Sequence, residues 1–265
     1  GRRSAAFCIR VDESASMGRE DKYVPARQAA VLCGEVLSRA DVPFEIIGYS
    51  TAEPEAHRAM KLGLSPVSAF RHVRCSRLLH ILYKRFDEPF ARVRTRLLQI
   101  HPRNNNWDEE HLEFAYRRLR QRPEREKVLI VICDGQPNGD AENLIRTVAR
   151  LEERGCHVIA VGVGCDYVRR IYACSLVVID FPQLARELLA LLEQKLMSGR
   201  PRLLREGFYR AEPSPDSWSV ATSTPPARDA PAPAQTLLPK AAPSADGMLY
   251  EGIAAAVSRI LKPGG

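Results

Sequence analysis

At 265 residues, 45% of them hydrophobic, the chain is long enough to bury one ordinary domain plus an appendage and too apolar to be disordered throughout. A formal charge of +7 and a pI near 9.2 favour acidic partners, yet no aromatic interleaving or nucleic-acid module signature accompanies the arginines concentrated between Arg71 and Arg125, which argues against DNA or RNA. No apolar run spans a bilayer, no charged-then-apolar leader opens the sequence, and the seven scattered cysteines form no Cys-x-x-Cys pair, so the expected setting is cytoplasmic. The chain opens on Gly1 with strand-like sequence almost at once, pointing to an amino-terminal part that lies outside this sequence.

Phe7 to Val11 is a mostly apolar run that reads as a buried strand and stops at Asp12. Pro25 to Ala40 places Ala26, Ala29, Ala30, Cys33, Val36 and Leu37 at helical spacing behind a proline suited to a first turn. Phe44 to Tyr49 is a second strand, Thr51 to Ser68 a polar, irregular insertion, Leu78 to Phe86 a third, edge strand, and Pro89 to Ile100 a basic helix. Asn104 to Asp108 forms a turn, and Asp108, Glu109 and Glu110 make the acidic start of a helix running to Arg120, with Asp108 suited to its N-cap. Lys127 to Cys133 is the most continuous apolar run, the mark of a parallel strand buried on both faces, and it ends at Asp134-Gly135. A helix over Gly139 to Arg154, a strand over His157 to Val163, a short helix over Asp166 to Ala173, a strand over Leu176 to Asp180 and a leucine-rich helix over Pro182 to Leu196 complete the pattern.

Strands alternating with helices predict an α/β fold: a Rossmann-like, doubly wound, mostly parallel sheet covered on both faces. The reading gives a domain over 1–199, a Pro/Ala-rich flexible linker over 200–246 and a short amphipathic helix over 247–262.

Asp12, Ser14 and Ser16 follow the first strand at steps of two, so one carboxylate and two hydroxyls can converge at its carboxyl end. Oxygen donors without His or Cys suit Mg²⁺ or Mn²⁺. Asp134 stands just after another buried strand, and a doubly wound sheet delivers two such residues into one crevice. Two acids, two serines and a loop ligand would leave one coordination position for a partner's carboxylate. The same Asp-x-Ser-x-Ser also serves as a capping and turn device, and the second acid at a strand end tips the reading towards metal. His72, His80, His101, His111 and His157 share no ligand spacing and read as surface or strand residues.

Asp12-Glu13-Ser14-Ala15-Ser16 and Asp134-Gly135 resemble the two acidic motifs of von Willebrand factor type A (vWA) domains. Asn106-Trp107-Asp108-Glu109-Glu110, Arg122-Pro123-Glu124, Asp134-Gly135-Gln136-Pro137 and Ala160-Val161-Gly162-Val163-Gly164 are similar to the A domain of the cobaltochelatase CobT subunit family, a likeness running from Ala6 to Leu196. The resemblance implies a metal-ion-dependent adhesion site (MIDAS) with Asp12, Ser14, Ser16 and Asp134 as ligands. In the middle loop, where A domains usually carry threonine, it offers Asn106 or Asp108. It further implies a subunit that is not itself the catalyst, working with an AAA+ ATPase and a large chelatase subunit to insert cobalt during cobalamin biosynthesis. An acidic protein surface would meet the arginines, and a ring assembly is compatible with the family. An adaptor of another AAA+ metal-insertion or cofactor-maturation system would show the same core. A haloacid-dehalogenase-like phosphatase also carries an aspartate after its first strand, but Ser14 stands where its general acid would be.

Overall fold

The computed structural model describes residues 4–65 and 74–178. Six strands form one sheet in the order β3-β2-β1-β4-β5-β6: β1 (Ala5–Asp12), β2 (Phe44–Thr51), β3 (Leu78–Lys84), β4 (Glu126–Cys133), β5 (Cys156–Val163) and β6 (Ser175–Val178). All pairs are parallel except β2 with β3, which closes one edge antiparallel. The sheet is doubly wound: from the central pair β1 and β4 the chain steps outward in both directions, so their carboxyl ends flank the reversal of winding.

Side chains alternate across β1 and so divide the core. Phe7, Ile9 and Val11 face helix α1 (Tyr23–Arg39), whose Ala26, Ala29, Ala30, Cys33 and Leu37 are buried in the same layer. Ala6 and Cys8 face the opposite layer, built from Leu112, Ala115 and Leu119 and from Leu144, Val148 and Leu151. β4 and β5 contribute to both layers, which is why their sequences read as unbroken apolar runs.

Several elements differ from the sequence reading. The insertion after β2 contains helix α2 (Glu55–Lys61). Pro54 sets the entry dihedral, and the buried Glu55 carboxylate accepts from the Cys75 and Ser76 amides at 2.8 and 3.0 Å. The expected helix over Pro89 to Ile100 is two pieces, α3 (Phe90–Val93) and a 3₁₀ turn (Arg94–Gln99), because Val93 at φ −118° breaks the α geometry between them. Phe90, Val93, Leu97 and Ile100 are nonetheless all buried, so the apolar spacing is used without a continuous helix. Helices α4 (Asp108–Arg120) and α5 (Ala141–Glu153) follow, and the helix near 166–173 is the single turn α6 (Val168–Ile171). The helix expected over 182–196, the linker over 200–246 and the helix over 247–262 lie outside the described residues. Among the described residues no helix is long and apolar enough to cross a membrane.

The arginines form a less open basic face than their number suggests. Arg74, Arg94, Arg96, Arg103, Arg118 and Arg122 each pair with a carboxylate of this same domain, while Arg92, Arg117, Arg120 and Arg125 are exposed.

Candidate metal centre

The six residues singled out in the sequence come together at the carboxyl ends of β1 and β4. Asp12 ends β1 fully buried, and its Oδ1 accepts from the Ser14 amide at 2.7 Å. The chain then turns into a 3₁₀ segment (Ala15–Asp21), placing the Ser14 and Ser16 hydroxyl oxygens 3.0 Å apart. The middle loop is stitched to both neighbouring strand ends: the Ala15 amide donates to the Asn104 carbonyl at 2.7 Å and the Thr51 amide to that of Asn105 at 2.9 Å. Asn106 then clips the first and last motifs together. Its Nδ2 donates to Asp12 Oδ2 at 3.3 Å and to the Gln136 carbonyl at 3.2 Å, its own amide donates to Asn138 Oδ1 at 2.7 Å, and its Oδ1 accepts from the Asn138 amide at 3.0 Å.

Asp108 does not cap α4 as expected. Trp107 occupies the N-cap position, and Asp108 is the first helical residue, with its Oδ1 accepting from the buried Tyr49 hydroxyl at 2.7 Å. Asp134 follows β4 fully buried. Its Oδ1 accepts from the Gln136 amide at 3.2 Å, whereas Oδ2 has no hydrogen-bond donor. Gly135, at φ +76°, lets the chain turn there; a Cβ would lie 2.8 Å from the Val168 amide nitrogen.

Three buried carboxylates thus share one cleft. Burial, reinforced by the charges of Asp108 and Asp134, pushes the Asp12 carboxyl well above the usual carboxylate range. Burial also pushes Asp108 up to about 7 against the hydrogen bond from Tyr49, with Glu109 and Asp134 adding to the rise. A divalent cation would offset this repulsion, and the oxygen-only donor set, with Asp134 Oδ2 free of any hydrogen-bond donor and facing the Lys22 ammonium at 3.5 Å, fits a hard ion. Among the described residues no three His, Cys, Asp or Glu side chains converge as a ready-made metal cage, so an ion here depends on the serine hydroxyls as well as the acids.

Next to this cleft lies a cluster that sequence reasoning missed. Arg10 is buried in the middle of β1, its Cζ 5.0 Å from the centre of the Tyr49 ring, and its Nη2 donates towards Nδ1 of His111 at 3.1 Å and of His80 at 3.3 Å. The two Nδ1 atoms also lie 3.3 Å from each other, so the three groups form one closed polar cluster whose donor and acceptor roles are set by the tautomers. His111, read from sequence as a surface or strand residue, is buried on α4 one turn after Asp108, and His80 stacks on Phe114. The available signals were an arginine inside an apolar strand and the position of His111 on the helix face that carries Leu112, Ala115 and Leu119.

Burial and then the neighbouring Arg10 and Arg118 cations bring the His80 imidazole down to about 4, and burial drives His111 well below its usual range. An unfolded histidine takes up its proton near pH 6.5, roughly its model value. The stabilisation from a neutral His80 is therefore complete above that pH and is lost as pH falls towards 4. The raised Asp12 and Asp108 act in the opposite sense, so the informative quantity is a difference. The gap in thermal midpoint between wild type and His80→Gln is expected to narrow from pH 7 to pH 4.5; a gap independent of pH contradicts this.

Residues 2–198 match the family described as the cobalamin biosynthesis protein CobT VWA domain. Among solved structures, the manganese-loaded TRAP protein of Plasmodium vivax is similar with a TM-score of 0.52 and 14% identity, over 72% of this chain and 72% of that one. The conserved hypothetical protein BatB of Bacteroides thetaiotaomicron is similar with a TM-score of 0.50 and 14% identity, over 74% of this chain and 99% of that one. At such identities the likeness is one of fold.

Proposed function

The chain belongs to the CobT VWA-domain family of cobalamin biosynthesis, and from that premise we propose that it is a non-catalytic adaptor whose partner contact is made through a divalent metal ion. Asp12, Ser14, Ser16 and Asp134 would hold Mg²⁺ or Mn²⁺. Asp108 would bring a third carboxylate to the cleft, and Asn106 would set the orientation of Asp12 through the hydrogen bond it already makes. The ion supplies an open coordination position that a carboxylate of the partner fills. Within a cobaltochelatase the partners would be an AAA+ ATPase subunit and a large chelatase subunit, with cobalt as the cargo. The exposed Arg92, Arg117, Arg120 and Arg125 would add salt-sensitive contacts to an acidic surface.

The observation that carries this reading is the cluster of buried Asp12, Asp108 and Asp134 carboxylates in one cleft, where Asp134 Oδ2 has no hydrogen-bond donor. The test is retention of the ATPase subunit on the immobilised chain. Retention is expected in Mg²⁺ or Mn²⁺, is expected to vanish in EDTA, and should return when the metal is restored; equal retention in EDTA contradicts metal dependence.

A further inference from the structure

Lys22 reaches into the cleft at Asp134. Its Nζ lies 3.5 Å from Asp134 Oδ2, the oxygen that has no hydrogen-bond donor, and its side chain is only 12% exposed. Two features hold it there. Immediately before Lys22 the chain runs two non-glycine residues through the left-handed region, Glu20 at φ 53° and Asp21 at φ 52°, after Arg19 has left helical geometry at ψ 129°. Side chains other than glycine seldom adopt that region, because Cβ crowds the following carbonyl oxygen. The stem of Lys22 also runs past Gly164, φ +62°, its methylenes 3.7 Å from where a Cβ would stand. The backbone thus accepts local strain in a stretch that ends with an ammonium group against a buried carboxylate.

We infer that Lys22 is the resident counter-charge of the metal-free cleft and exchanges with the divalent ion, so that it lowers the metal affinity of the site. The inference rests on the metal reading above. An ion bound to Asp134 must approach its carboxylate to roughly 2.0–2.6 Å, and at 3.5 Å the ammonium already faces an Asp134 oxygen that has no hydrogen-bond donor. Two cations cannot share that oxygen without repulsion. Lysine is suited to leaving, because its charge sits on a flexible four-carbon stem with no fixed planar geometry. The distance is long for a hydrogen bond, so its hold on Asp134 is mainly electrostatic and easily exchanged. In the metal-free chain the same charge offsets the mutual repulsion of Asp12, Asp108 and Asp134. Lys22 would therefore keep the adaptor folded when unloaded and set how much ion is needed to load it.

The experiment is titration with MnCl₂ alone, followed by the electron paramagnetic resonance signal of free Mn²⁺, on the full chain and its Lys22→Met and Lys22→Arg variants. Lys22→Met is expected to bind Mn²⁺ about tenfold more tightly, and its thermal midpoint in EDTA is expected to fall below that of wild type. Lys22→Arg keeps the charge and should stay within about threefold of wild-type affinity. Equal affinity of wild type and Lys22→Met overturns the exchange while leaving the metal reading intact. A tightening in Lys22→Arg as large as in Lys22→Met overturns the role of charge. No Mn²⁺ binding by any of the three overturns the metal reading and the exchange with it.

Discussion

Asp12→Asn is expected to weaken Mn²⁺ binding by about 100-fold, about 2.7 kcal/mol. The variant keeps the volume of the side chain and an Oδ1 that can accept from the Ser14 amide, now at 2.7 Å, so the turn into the serine motif survives. What it removes is charge. Asp12 is fully buried, and the charges of Asp108 and Asp134 already oppose its ionisation. In EDTA the substitution relieves that repulsion but sets its own Nδ2 against the Asn106 Nδ2 that now donates to Asp12 Oδ2, so two opposing changes act on the metal-free midpoint. With metal present the same substitution removes an anionic ligand for which the Ser14 and Ser16 hydroxyls cannot substitute. Unchanged affinity contradicts this account of the cleft.

Arg118→Met is expected to lower stability by about 3 kcal/mol, the cost typical of leaving one partner of a buried ion pair uncompensated. Glu45 is fully buried in β2, and Arg118 on α4 holds it through three contacts, Nε to each carboxylate oxygen at 3.0 and 2.9 Å and Nη2 to Oε2 at 2.7 Å. Arg118 is partly exposed and can return to water, whereas Glu45 cannot. The pair therefore does more to fix how α4 lies across the sheet than to add net stability, and the double variant Glu45→Met with Arg118→Met should regain most of the loss. Urea titration of the two single variants and the double variant measures this, and additive losses would contradict it.

The fold was legible wherever burial dictated composition. β4 and β5 are covered on both faces, so their sequences are continuous apolar runs that leave little choice of element, and the alternation of strands with helices then fixes a doubly wound sheet. Because β1 and β4 each end in an acid, that topology alone brings Asp12 and Asp134 to adjacent strand ends. Contacts made across long separations were not legible. Asp108 follows a turn and precedes a helix, which by composition is an N-cap, but the Tyr49 hydroxyl that claims it lies 59 residues away. Lys22, Arg10 and His111 look like ordinary charged positions until the sheet folds. Helix α2 was hidden for another reason: its sequence is polar and follows a proline, and its anchor is the single buried carboxylate of Glu55 rather than an apolar stripe.

That anchor reaches beyond α2. Besides the two amides it accepts from, Glu55 takes a hydrogen bond from the Trp107 indole Nε1 at 2.9 Å, and Trp107 is the residue directly before Asp108. The indole is 6% exposed and sits against Gly139, in the loop that follows Asp134. The chain has one other tryptophan, Trp218, outside the described residues. A fluorophore therefore stands beside the cleft with its indole N–H held by one carboxylate, so loading of the proposed site would be read in its emission without attaching any dye.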